Sequence, residues 1–377
     1  MPFCESCGAV RKSEARFCSS CGKPLGDAVP AQESEPTASM PGVPNSPDVP
    51  ESLVRALAGS YEVRRLLGHG GMGAVYLVKE LALDRLVALK VILDEKNDPS
   101  GIERFLAEAR LAARLRHPNI VAIHAVGREA GVHFFTMDYV EGTTLEAHVR
   151  HFGEGKGLPR DEACHVISDI ARAVAHAHLL GVVHRDLKPG NVMVDRSGHV
   201  SVMDFGLAKA LDAAAVTASG IVVGTPSYVS PEQLQGHPAS PASDIYAIGL
   251  VFYYLLTGTR LVQGDSMTAV VAQHISGAPA SRLRSDPGIP EELRPLLLSM
   301  VQRNPEKRPR SLDDVLAALG RAAPAGPATT ALKPLPASAG TPSPSAPKRT
   351  SSSDSWKRQA RERMAGLLDK LGKREQP

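Results

Sequence analysis

The sequence predicts an α+β fold of two lobes, a small β-rich lobe followed by a large helical one, with a small cysteine-bearing module in front. Three observations carry that prediction. Near residue 142 the apolar pattern changes period, from short β-rich runs at 74–78 and 86–92 to helical spacing at 161–180 and 244–256. Stretches rich in Pro, Ala and Ser at 26–57 and 322–353 bracket this body, and such composition buries too little apolar surface to order itself. Four of the five cysteines fall within the first 21 residues as two Cys-x-x-Cys pairs, whereas Cys164 stands alone. The expected organisation is therefore a metal-binding module at 1–25, a disordered linker at 26–57, one large body at 58–321, a second linker at 322–353 and a tail at 354–377.

Taken in order, the runs at 74–78 and 86–92 flank a turn and suit an antiparallel hairpin. A helix follows, because Ile102, Phe105, Leu106, Ala109, Ala112 and Leu115 recur three and four apart until Pro118 stops the pattern. In the tail, Trp356, Ala360, Met364, Leu367, Leu368 and Leu371 share one side of a basic amphipathic helix with seven Lys/Arg and four acids. Roughly 20 residues barely hold helicity alone in water, so the tail reads either as a solvated helix or as a segment that docks to a membrane surface or a protein.

A net charge of +3 over 377 residues makes no global case for a nucleic-acid partner. No apolar run reaches the roughly 18 residues a membrane span needs, and the chain start lacks a basic stretch followed by an apolar one. The expectation is a soluble, cytoplasmic protein without a transmembrane segment.

The first chemical signal is Gly68-His69-Gly70-Gly71-Met72-Gly73, followed by Ala74-Val75. Glycines let a backbone approach phosphates closely, since no Cβ intervenes. A dinucleotide fingerprint would need a helix directly afterwards and an acid about 20 positions on. Here a strand follows, and 19 positions past Gly71 stands Lys90 in Val87-Ala88-Leu89-Lys90, suited to phosphate. The second signal is His184-Arg185-Asp186-Leu187-Lys188-Pro189-Gly190-Asn191, and the third is Asp204-Phe205-Gly206.

With these motifs in this order, residues 61–319 resemble a bacterial Hanks-type serine/threonine protein kinase. The resemblance implies a two-lobed kinase fold, ATP and Mg²⁺ as cosubstrate and metal, transfer of the γ-phosphoryl group to Ser/Thr hydroxyls of proteins, and a part in signal transduction. It implies that Lys90 binds the α- and β-phosphates and is held by Glu108, that Asn191 and Asp204 hold Mg²⁺, that Asp186 accepts the substrate proton and that Lys188 sits near the γ-phosphate. The glycine loop, Gly68 to Gly73 with His69 and Met72, would cover the phosphates. Leu67, Val75 and Ala88 would roof the adenine, backbone groups of Asp138 and Val140 would bond it, and Met137 would guard the pocket behind. Glu232 would pair with Arg308. Thr217 and Ser219 are candidate phosphorylation sites, with Arg185 to grip the phosphate. Ser230 before Pro231-Glu232 and Gly190 depart from the commonest pattern, and neither removes a catalytic group.

Phe3-Cys4-Glu5-Ser6-Cys7-Gly8 recurs as Phe17-Cys18-Ser19-Ser20-Cys21-Gly22. Cys4, Cys7, Cys18 and Cys21 can supply four thiolates to one structural Zn²⁺, resembling a zinc ribbon, and in a reducing compartment this is preferred over disulfides. Four Lys/Arg and two Glu in residues 1–25 offset the roughly two negative charges of a zinc tetrathiolate, so protein docking or a structural role is favoured over nucleic acid. The competing functions are a pseudokinase scaffold and a zinc-ribbon nucleic-acid-binding regulator; the intact Lys90, Glu108, Asp186, Asn191 and Asp204 argue against the scaffold.

Overall fold

In a computed structural model of the chain, the described residues are 49–70, 73–92, 99–153, 155–206, 226–322 and 332. All lie in one compact unit, 43–377. The four amino-terminal cysteines, Gly71, Met72, Thr217, Ser219 and the tail at 354–377 lie outside the described residues.

The small lobe is a five-stranded antiparallel sheet of β1 (Tyr61–Gly70), β2 (Gly73–Glu80), β3 (Arg85–Ile92), β4 (Ile123–Glu129) and β5 (Val132–Asp138), in the order β1-β2-β3-β5-β4. The expected hairpin is β2–β3, with Val75 opposite Lys90. Helix α1 (Glu51–Leu57) precedes the sheet and α2 (Pro99–Ala112) crosses it between β3 and β4. Leu53 and Leu57, four apart on one helical face, are fully buried in a cluster with Tyr61, Val63 and Phe134. Residues 51–57 therefore belong to the folded body, which corrects the linker boundary at 57; two leucines suffice to seat a short helix but are too few to show a period. Helix α2 carries Phe105 and Ala109 into the core, where Phe105 meets the Phe135 ring at 5.8 Å. It ends at Ala112, so Leu115 is buried from the following turn.

The large lobe contains α3 (Leu145–Phe152), α4 (Arg160–Leu179), α5 (Pro231–Leu234), α6 (Pro241–Thr257), α7 (Met267–Ser276), α8 (Ala278–Ser285), α9 (Arg294–Met300) and α10 (Leu312–Ala322). A small sheet, β6 (Gly142–Thr144), β7 (Val192–Asp195) and β8 (Val200–Val202), lies beneath the lobe joint. Helix α6 is buried at every position from Ser243 to Leu256, as a helix apolar all round must be. Cys164 is buried on α4, and burial raises its thiol to about 11, which leaves it a packing residue and not a nucleophile. Among the described residues, no helix is long and apolar enough to cross a membrane.

The turn after α2 is pinned to β8. Asn119 Nδ2 donates to Val200 O at 2.8 Å, Val121 N to Val202 O at 2.9 Å and Val202 N to Asn119 O at 2.8 Å. Beyond α10, Leu332 is 1% exposed and belongs to the main core, which corrects the expectation of an unanchored linker through 322–353.

Arg308 and Glu232 form the expected pair, with N–O distances of 2.7 and 2.8 Å and Ser243 Oγ donating to the same carboxylate at 2.7 Å. Burial alone would raise the Glu232 carboxyl, but the Arg308 bonds and charge outweigh it and bring the group from 4.5 down to about 2. The pair thus stabilises the fold fully above pH 4.5, and that contribution is lost as pH falls toward 2. Arg308→Met should cost about 3–5 kcal/mol at pH 7 by leaving a buried carboxylate unpaired, and the gap to wild type should shrink in acid. Denaturant titrations across that pH range check it; a pH-independent gap would sink the assignment.

Candidate active site

β1 and β2 bring Gly68 opposite Val75 and Gly70 opposite Gly73, so the described glycines lie on two paired strands and a strand, not a helix, follows the run. Gly73 has φ +147°, and a Cβ there would collide with Val91 O, so the close pairing to β3 itself demands glycine. β3 carries Ala88 opposite Met137 and Lys90 opposite Phe135. Leu67 and Val75 pack, half-buried, on the same core as Ala88 and Met137. At the end of β5, Asp138 N–H is held by Ala122 O at 3.0 Å, and its carboxylate meets His124 at 2.8 Å.

The loop after α4 carries the polar groups. Asn191 Nδ2 donates to Asp186 O at 2.7 Å and to Asp186 Oδ2 at 3.1 Å, while Lys188 Nζ donates to Asp186 Oδ2 at 2.6 Å. Val192 pairs with Val202 across β7–β8, and Met203 N donates to Asn191 O at 3.0 Å, so Asn191 and Asp204 stand together at the ends of neighbouring strands. Among the described residues no cluster of three or more His, Cys, Asp or Glu could hold a metal ion unaided. One carboxylate and one amide oxygen fit a Mg²⁺ completed by water and substrate phosphates, since Mg²⁺ seldom relies on an all-protein cage.

Two of these residues have left-handed backbones, Arg185 at φ 71° and Asp204 at φ 63°. Such conformations cost on the order of 1–3 kcal/mol each and persist only where the surroundings over-determine them. For Arg185 the surroundings are the Asp244 carboxylate on α6, 1% exposed, which accepts from His184 N at 2.8 Å, Arg185 N at 2.9 Å and His178 Nε2 at 2.8 Å. Gln233 Nε2 adds a bond to Arg185 O at 3.1 Å. His184 Nε2 donates to Met203 O at 3.1 Å, and its ring lies 4.7 Å from Phe205, contacts that support the loop. Sequence reasoning missed Asp244 and Gln233. Asp244 had a readable signal, being the one charged residue in an otherwise apolar and small helix from 241 to 257.

The ion pairs differ from expectation at one point. Lys90 is not held by Glu108: Lys90 Nζ bonds Asp204 Oδ1 at 2.8 Å, and Glu108 Oε1 receives Arg185 Nη1 at 2.6 Å. Glu108 Oε2 is buried without a hydrogen-bond partner. The guanidinium expected to grip an activating phosphate is thus already engaged, through Nη1, by the carboxylate that was expected on Lys90.

The family described as the protein kinase domain matches residues 61–318. The chain is 38% identical over 262 residues to the serine/threonine-protein kinase PrkC of Bacillus subtilis, covering 69% of this chain and 40% of that protein. It is 40% identical over 261 residues to PknA of Mycobacterium tuberculosis, covering 68% and 59%. It therefore spans about half the length of these relatives. The crystal structure of the PknI kinase domain of Mycobacterium tuberculosis superposes with a TM-score of 0.54 at 28% identity, covering 70% of this chain and 96% of that one.

Asp244→Ala would strand two backbone N–H groups, at about 1–3 kcal/mol each, and release the left-handed turn. Amide exchange at residues 184 and 185 should accelerate well beyond that of α4, with a clear fall in melting temperature. Unchanged exchange there would mean that Gln233 and packing suffice.

Proposed function

The chain belongs to the protein kinase domain family, and on that premise we propose that it is a serine/threonine protein kinase transferring the γ-phosphoryl group of MgATP to protein hydroxyls. The observation that carries this reading is the Asp186 carboxylate, whose Oδ2 receives both Lys188 Nζ and Asn191 Nδ2, together with the Lys90–Asp204 pair. Asp186 orients the substrate hydroxyl and takes its proton as the oxygen attacks the γ-phosphorus and ADP leaves. Lys188, already on Asp186, reaches toward the γ-phosphate and neutralises charge. Lys90 binds the α- and β-phosphates. Asn191 has given its amide N–H to Asp186, which leaves Oδ1, with the second Asp204 oxygen, for Mg²⁺. A Mg²⁺ held there by Asn191 and Asp204 would supply positive charge to offset the negative charge that develops on the phosphates. At the hinge, the Asp138 N–H is engaged by Ala122, so adenine recognition falls to its carbonyl and to the Val140 N–H, under the roof of Leu67, Val75 and Ala88.

The observed pairing is a resting arrangement in this reading. Phosphate on Thr217 or Ser219 gives Arg185 a stronger bidentate partner, Glu108 is freed to pair with Lys90, and Lys90 releases Asp204 to the metal. The purified protein with MgATP should label itself on Ser or Thr, and Asp186→Asn should lower the rate by roughly 10²- to 10⁴-fold. Phosphatase treatment should lower wild-type activity, and Thr217→Ala with Ser219→Ala should remove the lag of the activation time course. Absence of labelling would favour a scaffold that binds nucleotide without turnover, and an Asp186→Asn variant as fast as wild type would refute Asp186 as the base.

The amino-terminal cysteines are proposed to form a zinc ribbon that docks a protein or serves structure alone; their paired spacing supports it. Reduced protein should contain one zinc per chain, lost in Cys4→Ser or Cys18→Ser while the catalytic body stays folded. Metal-free wild type would refute the site.

A further inference from the structure

We propose that Leu332 is a peg by which the segment following the catalytic domain docks, within the same chain, on the β7–β8 turn, and that this docking bears on the joint carrying α2. Helix α10 ends at Ala322, yet Leu332, ten positions later, is 1% exposed and part of the main core. In the whole stretch 322–353 the only large apolar side chains are Leu332 and Leu335, set among Pro, Ala, Ser and Thr. Such a stretch does not fold by itself, so burial of one leucine there needs a receiving site on the body. Ten residues of chain reach up to roughly 35 Å, ample for the connection to be made within one molecule.

The receiving site is specific. At Gly198 the β7–β8 turn has φ +87°, and a Cβ built there would strike the Leu332 carbonyl oxygen and lie 3.1 Å from its carbonyl carbon and its nitrogen. Backbone thus meets backbone, and glycine serves both the left-handed turn and the close approach. The turn is a rigid platform: Asp195 Oδ1 accepts from Ser197 N at 2.8 Å, Ser197 Oγ at 2.6 Å and His199 N at 2.9 Å, and Gly198 N donates to Asp195 O at 3.1 Å.

What the peg touches is connected to the joint that follows α2. His199 Nε2 bonds Pro118 O at 3.0 Å, and Asn119 Nδ2 bonds Val200 O at 2.8 Å, so the turn that receives Leu332 also holds the joint just after α2. Helix α2 carries Glu108. An occupied site stiffens the joint; an empty one loosens it.

The test is amide exchange on the full-length chain. Leu332→Asp should raise exchange at 195–200 and at 119–121 by roughly tenfold while the α6 core is unmoved. Gly198→Asn tolerates the left-handed turn but places a side chain against Leu332, and should produce the same pattern. The double variant should be no worse than the more affected single one, because both remove one contact. Leu332→Ala covers the case in which the aspartate variant fails to fold, and should show a smaller rise in the same peptides. Additive effects, or unchanged exchange in both single variants, would overturn the proposal. Loss of wild-type protection on dilution would overturn it too, since the occupant would then be a second copy of the chain.

Discussion

The Asp244 carboxylate accepts from two consecutive backbone N–H groups and from His178, and it does so from a helix buried on every side, so it cannot shift without moving the core. That constraint sets the position of the catalytic loop. A left-handed Arg185 is unfavourable in isolation, and here it is the conformation that lets both N–H groups reach one carboxylate. Once Arg185 is fixed, His184 reaches back to Met203 and Asp186 faces Lys188 and Asn191. Strain at the site is therefore offset in the core, by a polar group that would be costly to bury were any of its partners missing.

Above that rigid base the charges are far less constrained. Lys90 and Arg185 are the cations, Glu108 and Asp204 the anions, and the observed pairs are Lys90 with Asp204 and Arg185 with Glu108. A close pair in surroundings between water and protein surface has an interaction of about 1–4 kcal/mol, and each cation would find a similar gain with the other anion. Glu108 keeps one buried oxygen without a partner in the observed pairing. A new anion of two charges is large on this scale. In the proposed reading, a rigid loop presents Asp186 while the ion pairs above it set whether Lys90 and Asp204 are free for nucleotide and metal.

Much of the architecture was legible. The helical runs at 161–180 and 244–256 correspond to Arg160–Leu179 and Pro241–Thr257, and the strand at 86–92 to Arg85–Ile92, because long amphipathic or uniformly apolar patterns leave the backbone little choice. The two anchors flanking the body were not legible. Helix α1 rests on Leu53 and Leu57, and the segment after α10 on Leu332. One or two leucines amid proline and alanine make no period, and composition averaged over a window hides them; a receiving surface elsewhere in the chain is what orders them.

By itself the sequence determined which chemical groups this protein brings to its site: the glycines at the ends of the first two strands, the lysine, the two aspartates and the asparagine at set spacings. Those follow from local rules, in which residue type dictates backbone freedom, charge and donor set. It could not determine who pairs with whom. Arg185 and Glu108 are 77 positions apart and Lys90 and Asp204 are 114 apart, and a cation has no intrinsic preference between two carboxylates. Only the tertiary structure, by where it sets α2 against a catalytic loop held by Asp244, decided that Glu108 faces the arginine and not the lysine, because Coulomb attraction selects the nearest partner and nearness is a property of the fold.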